Sequence, residues 1–285
     1  MPDRRHALPR PAPTPRGQSS ALDVEFAALT DLGRVRTNNE DYFGHVVPDS
    51  PERATSHGWL FVLADGVGGH NRGEVASRIT VESVLAGFRA SPAVNSFESL
   101  LIRLVKEANT EVYEAGIAAG PAGAGMSTTV VLCAVRHDRV YVAHVGDSRC
   151  YLIRNGTIKS LTRDHTVANE QLRLGLISAG QAGPITRHAL SRSIGSELFV
   201  NVESGIFAVL PGDTLVLCSD GLHGAVPDSK IASTVASATD LDSAARNLID
   251  LANQLSGDDN VTVQLARVRG VERMGVYRGR PYKLR

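Results

Sequence analysis

Residues 59 to 70 read Trp-Leu-Phe-Val-Leu-Ala-Asp-Gly-Val-Gly-Gly-His. Six uncharged residues run straight into an aspartate, and the aspartate runs into a glycine-rich turn. A short apolar run bounded by a turn signal reads as a strand covered on both faces. The carboxylate that ends it, Asp65, is badly placed for solvent, and an unpaired buried carboxylate is very costly. Something must compensate its charge. Glycine allows a sharp turn and a close approach of backbone to a ligand. Asp65 is therefore a candidate metal ligand. Taken alone, an Asp-Gly pair is also the signature of a turn or a helix N-cap, so the rest of the chain must choose.

The chain on either side reads as alternating groups of strands and helix pairs. Ala21 to Leu32 has the period of a strand, with Val24, Phe26 and Ala28 alternating. Gly33 to Phe43 starts as a turn, ends as a second strand and carries Arg36, Glu40 and Asp41. Pro48 to Ser56 reads as a polar loop. Helical spacing of Val75, Ile79, Leu85 and Phe88 predicts a helix from Gly73 to Phe88. A second helix runs from Phe97 to Ala115, with Ser96 as a natural N-cap. Strands follow over 127–135, 140–145, 149–154 and 157–161, the last two joined by the hairpin pair Asn155-Gly156. Short helices broken by glycine are expected over Val167 to Gly183, as a cover between strands, then an irregular stretch from Thr186 to Gly195. Strands over 199–209 and 213–218, helices over 228–238 and 241–255, and a strand over 261–268 complete the pattern.

Strands and helices come in groups and do not alternate singly, which disfavours a doubly wound parallel sheet. The expected fold is α+β: two packed antiparallel sheets flanked by helix pairs, an αββα sandwich with a small helical insert. A single domain spans 21–268. Residues 1–20 hold a proline- and arginine-rich stretch read as a disordered tail, and 269–285 a basic C-terminal tail. The formal net charge is zero, which speaks against a general nucleic-acid or membrane-surface binder. No apolar run is long enough for membrane insertion. Cys133, Cys150 and Cys218 lack C-x-x-C spacing, as expected of reduced thiols in a cytoplasm.

Five aspartates fall at strand ends or strand-flanking turns: Asp41, Asp65, Asp147, Asp220 and Asp259. Carboxylates that converge in a fold repel one another unless cations sit between them. Oxygen-only ligands suit Mg²⁺ or Mn²⁺ better than zinc. The sequence does not by itself show convergence, and each aspartate taken singly is more often a turn or cap residue.

Six motifs occur in order: Arg36-Thr37-Asn38-Asn39-Glu40-Asp41, Ala64-Asp65-Gly66-Val67-Gly68-Gly69-His70, Gly125-Met126-Ser127-Thr128-Thr129, Val145-Gly146-Asp147-Ser148-Arg149, Ser219-Asp220-Gly221 and Asp258-Asp259-Asn260-Val261-Thr262. The set resembles the metal-dependent protein serine/threonine phosphatases of type 2C in their compact bacterial form, over about residues 21 to 268. The resemblance implies two Mn²⁺ or Mg²⁺ ions bridged by Asp65. It implies a carbonyl ligand from Gly66, and Asp220 and Asp259 on the other ion. A third, weaker ion would lie between Asp147 and Asp220. Asp41 and Glu40 would hold metal-bound waters, and Arg36 would bind the substrate phosphate. The segment from about 166 to 189 would be the flap beside the site.

The implied reaction is direct attack of a metal-bridging hydroxide on the phosphorus of phosphoserine or phosphothreonine in proteins. A monomer opposing a cognate bacterial serine/threonine kinase is the implied setting. Val67 stands where many eukaryotic members carry a histidine proposed as general acid, and valine cannot donate a proton. His70 and His165 are the histidines nearest the motifs. Three rival readings fare worse. Cys133 and Arg139 have the spacing of a cysteine-nucleophile phosphate loop, but no glycine lies between them. The turn Gly66-Val67-Gly68-Gly69 lacks the third glycine of a dinucleotide fingerprint and the lysine of a P-loop. A catalytically inactive phosphoprotein-binding module on the same fold would be expected to have lost metal aspartates, and Asp65, Asp220 and Asp259 are all present.

Overall fold

The computed structural model describes residues 5–6, 22–67, 72–94, 96–178, 180–272, 274–277 and 280–283. In chain order, β1 (Arg5–His6), β2 (Asp23–Asp31) and β3 (Asp41–Val46) lead to a short helix α1 (Pro51–Ser56). The central strand is β4 (Trp59–Val67), followed by α2 (Gly73–Ala90) and α3 (Phe97–Ala118). Then come β5 (Ser127–Thr128), β6 (Val130–Arg136), β7 (Arg139–Val145), β8 (Arg149–Arg154) and β9 (Thr157–Ser160). Two short helices, α4 (Val167–Arg173) and α5 (Pro184–His188), precede β10 (Glu203–Ala208) and β11 (Thr214–Cys218). The chain closes with α6 (Asp220–His223), α7 (Asp228–Ser237), α8 (Leu241–Leu255), β12 (Val261–Gly270) and the hairpin β13 (Met274–Tyr277) and β14 (Arg280–Lys283).

One sheet has the order β1-β2-β12-β11-β8-β9, and the other β10-β7-β6-β4-β3, with β5 paired to the end of β4. Every strand pairing is antiparallel. The α+β sandwich expected from the sequence is the observed fold.

Alternation along β4 explains the layers. Leu60, Val62 and Ala64 pack with Val84, Phe88, Leu101 and Leu104 of α2 and α3. Phe61 and Leu63 point the other way, against Leu215 and Leu217 of β11. The second sheet does the same: Val216 and Cys218 face Leu248 and Ile249 of α8. Three apolar interfaces thus stack in one domain, and β4 is buried on both faces because it has a helix layer behind it and a sheet in front.

Several boundaries differ from the periodicity. The stretch taken as a polar loop contains α1, started by Ser50, whose hydroxyl accepts from the Arg53 amide, and by proline in the first turn. The strand expected over 199–209 is confined to Glu203–Ala208. The stretch read as irregular from Thr186 includes the end of α5. The strand expected over 127–135 is split at Thr129, which leaves the ladder between β5 and β6. The four-residue α6, beginning at Asp220, has too few residues to show a period.

Candidate metal centre

The strand register sets the first pair of carboxylates. Asp41 lies directly opposite Asp65 across β3 and β4. Asp220 and Asp259 flank β11 and β12, and Asp147 leaves β7. These ends meet in one place. The Asp65 carboxyl is held well above its ordinary range by burial and then by the charges of Asp41, Asp220, Asp147 and Asp259. Asp65 and Asp220 lie close enough for each to feel the other's charge. Burial, with Asp259 beside it, raises Asp220 as well, while His188 and Arg36 act in the opposite sense. Burial and the charges of Asp220 and Asp164 push Asp147 up to about 7.

Asp41 is buried, at 6% exposure. The Ser219 and Thr262 hydroxyls donate to its Oδ2 at 2.7 and 2.6 Å. Its Oδ1 is buried with no hydrogen-bond partner. Burial pushes this carboxyl up to about 7, against the two hydroxyls and aided by repulsion from Asp220 and Asp259. An enclosed group of carboxylates with an orphaned oxygen has the chemistry of a site for hard divalent cations. All donors are oxygen, so the residues fit Mn²⁺ or Mg²⁺.

Arg36 supplies positive charge at the rim. Its Nη2 donates to Asp259 Oδ2 at 2.7 Å, with both side chains partly exposed. Burial opposes its charge, but Asp259, Glu40 and Asp65 together raise its pKa. Glu40 enters through its backbone: its amide donates to Asn260 Oδ1 at 2.8 Å, and its carbonyl accepts from Gly66 at 3.0 Å. Gly66 sits against the first turn of α2, where a Cβ would come within 2.4 Å of the Gly73 carbonyl carbon and oxygen. The close approach requires glycine there.

Five polar residues without an assigned role in the sequence reading frame the cluster. The Thr129 hydroxyl accepts from the Asp65 amide at 3.0 Å, and the Thr128 hydroxyl donates to the Asp65 carbonyl at 2.7 Å. Ser219 and Thr262 hold Asp41, as above. Asn260 ties the Arg36 loop to the Asp259 segment by donating to the Leu32 and Asn38 carbonyls, each at 3.0 Å. The signal was present: serine, threonine and asparagine inside or beside apolar strands, next to the aspartates.

The two histidines nearest the motifs fare differently. His70, Gly68 and Gly69 lie outside the described residues. His165 is buried at 2% exposure and has both ring nitrogens engaged. Its Nδ1 accepts from the Gly146 amide at 3.2 Å and its Nε2 faces Glu203 at 3.2 Å, which sets the tautomer. Burial, with the charges of His144 and Arg192, pushes its pKa down to about 4. His165 is a tie between the segment ahead of α4 and the Gly146 turn.

His144, His165 and Glu203 place candidate ligand atoms within 4.8 Å of one another. That group is better satisfied by hydrogen bonds than by a cation. His144 Nε2 donates to the Arg163 carbonyl at 2.9 Å, and the two imidazoles are stacked. The Arg163 guanidinium holds Glu203 at 2.9 Å, and Arg192 lies 3.5 Å from His165 Nε2. Two guanidinium groups at its edge repel a metal ion.

The family model described as Protein phosphatase 2C matches residues 34–267. A serine/threonine phosphatase stp of Listeria innocua is 34% identical over 263 residues, covering 91% of this chain and 99% of that protein. The crystal structure of the serine/threonine phosphatase Stp1 from Staphylococcus aureus superposes with a TM-score of 0.78 at 29% identity, covering 92% of this chain and 100% of that one. The catalytic domain of the serine/threonine protein phosphatase PstP, solved in complex with two manganese ions, gives a TM-score of 0.72 at 32% identity, covering 87% of this chain and 99% of that one.

Proposed function

Because this chain belongs to the protein phosphatase 2C family and is a metal-dependent protein serine/threonine phosphatase, we propose that the Asp65 cluster is where it hydrolyses phosphoserine and phosphothreonine. The observation that carries the assignment is the convergence of strand ends that sets Asp41 opposite Asp65, brings Asp147, Asp220 and Asp259 near enough to act on Asp65, and places Arg36 on Asp259.

In this reading Asp65 and the Gly66 carbonyl hold the first of two Mn²⁺ or Mg²⁺ ions. Asp220 and Asp259, with Asp65, would hold the second. Asp147, with Asp220, offers a third position. Bound there, divalent ions would supply Lewis acidity, lowering the pKa of a water and offsetting charge on phosphoryl oxygens.

The chain's own groups do the rest. Asp41 Oδ1 and Glu40 accept hydrogen bonds from waters in the cleft and orient them. Arg36 is suited to a bidentate grip on phosphoryl oxygens, because its planar fork matches their spacing. No covalent enzyme intermediate is required. Cys133, the alternative nucleophile, is wholly buried between the sheets, where substrate has no access.

The substrates are phosphoproteins. We further read the chain as a monomer that opposes a serine/threonine kinase in a cytoplasm. The relatives' phosphatase names and three free, buried cysteines support this setting. No helix among the described residues is long and apolar enough to cross a membrane.

The test is hydrolysis of a phosphothreonine peptide and of p-nitrophenyl phosphate, with Mn²⁺ and with EDTA. Turnover of both that needs Mn²⁺ is expected. Folded protein that turns over neither would remove the assignment.

A further inference from the structure

We propose that His188 donates the proton taken up by the departing seryl or threonyl oxygen, making it a further catalytic residue of this chain. The proposal rests on the phosphatase reading above. An alkoxide is a poor leaving group, so a positioned acid speeds its departure. Val67, at the end of β4, carries only hydrocarbon and cannot serve. Histidine is the side chain whose ordinary titration lies near neutrality, so it can deliver a proton and reload.

The described histidines after β1 can be taken in turn. His45 sits between Phe26 and Phe61 in β3. His57 is buried against Phe88, beyond the far end of α2. His137 occupies the β6–β7 turn with Glu272. His144 and His165 are locked into the tie described above. His223 is near the cluster, but its ring is bonded to the Asp147 carbonyl at 3.0 Å, and burial pushes its pKa down to about 4.

His188 is different. It is the last residue of α5, exposed, and hydrogen-bonded through its side chain to no described residue. It is also near enough for its charge to act on Asp220. The backbone explains why. Val167 donates to the Ala189 carbonyl at 2.8 Å, and Thr166 bridges Leu190. His165, one residue earlier, donates to the Gly146 carbonyl at 2.9 Å. The end of α5 is therefore laced to the turn that carries Asp147, on the flap side of the cluster. An exposed imidazole there can meet a substrate's leaving oxygen while Arg36 meets the phosphoryl group from the Asp259 side.

In the step, the phosphorus–oxygen bond to the serine or threonine breaks and its electron pair stays on that oxygen. The oxygen takes a ring N–H proton from the His188 imidazolium, giving the free hydroxyl. The attacking water's oxygen leaves in inorganic phosphate, and the neutral imidazole takes a proton from solvent.

The experiment compares His188→Gln with the parent protein at saturating Mn²⁺ on two esters. A phosphothreonine peptide has a leaving group that needs a proton; p-nitrophenyl phosphate has one that does not. The expected result is a loss on the order of 100-fold in kcat on the peptide, against a decrease of no more than about threefold on the aryl ester, whose stable phenolate gives an acid little to do. Mn²⁺ affinity, read by calorimetry, should stay within about twofold, as for a group that touches substrate and not the ions. Equal losses on the two esters would overturn the proposal, and so would no loss on the peptide or a parallel loss of Mn²⁺ affinity. A peptide-selective loss in His70→Gln with His188→Gln unaffected would also overturn it. A parent protein that turns over neither ester would overturn the phosphatase reading itself.

Discussion

Arg36 grips Asp259: its Nη2 stands 2.7 Å from the carboxylate Oδ2, across 223 positions of sequence. The group assigned to substrate phosphate and a carboxylate assigned to metal thus hold each other. In the proposed reading, a divalent cation at Asp259 would compete with Arg36 for this oxygen.

That competition gives Arg36→Ala two effects of opposite sign. Removing the guanidinium should lower kcat/KM on a phosphothreonine peptide by about 10- to 100-fold, as loss of a charged phosphate contact does. It should at the same time raise Mn²⁺ affinity, because one cation near the carboxylates has gone. Arg36→Lys should recover only part of the activity, as a point charge in place of a planar fork. Steady-state kinetics and calorimetry check both; weaker Mn²⁺ binding in the alanine variant would contradict the competition.

Asp65→Asn tests the bridge. Activity should fall by at least about 1,000-fold, comparable to losing a principal electrostatic element of catalysis, while the fold is retained. The metal-free variant should melt higher than the parent, because a buried charge repelled by four others becomes neutral. Its melting temperature should then no longer respond to Mn²⁺. Near-parental turnover, or an unchanged Mn²⁺ response, would remove the bridging role.

The raised carboxylates predict how metal-free protein responds to pH. Asp41 and Asp147 titrate at about 7 when folded and near 3.8 otherwise. Their folded pKa lies above the unfolded one, so the folded state binds more protons between those values. Their contribution is fully present below about pH 4 and is lost as pH rises through about 7. His165 and His223, pushed down to about 4, act with the opposite sign, but only below their ordinary 6.5. From pH 6.5 to 8, melting temperature in EDTA should therefore fall. The increment on adding Mn²⁺ should grow over the same range, since the ion binds the ionised form. An increment that shrinks with rising pH would exclude the cluster as the binding site.

Gly66→Ala should be costly for a site with no side chain of its own. The new methyl would meet the Gly73 backbone at 2.4 Å and the Glu40 carbonyl at 2.8 Å, and backbone cannot swing aside as a flexible side chain can. A destabilisation of about 2–4 kcal/mol is expected from the overpacking, with weaker Mn²⁺ binding as β4 and α2 separate. Chemical denaturation with and without Mn²⁺ measures it. A variant as stable as the parent would mean that α2 can shift freely.

The four layers were legible because burial leaves a periodic trace. The run Leu60 to Ala64 reads as a strand covered on both faces, and the spacing of Val75, Ile79, Leu85 and Phe88 as one side of a helix. What escaped was short or capped by few residues: α1, α6 and the break at Thr129. Elements of four to six residues are set by hydrogen bonds to distant chain, such as Thr129 to Asp65, and these leave no period.

For the site, the sequence by itself determined the chemistry: acidic residues at strand ends, glycine beside them, and one arginine ahead of them, in an order that fits one family. It left each carboxylate looking like a turn residue. Tertiary structure decided which charges share a space, because Asp41, Asp65, Asp147, Asp220 and Asp259 are up to 218 positions apart (41 to 259) and meet only where two sheets end together. Structure also tied His165 to the Gly146 turn and set Arg36 on Asp259. These are contacts between separate elements, and their energies come from burial and charge proximity, which do not exist until the chain is folded.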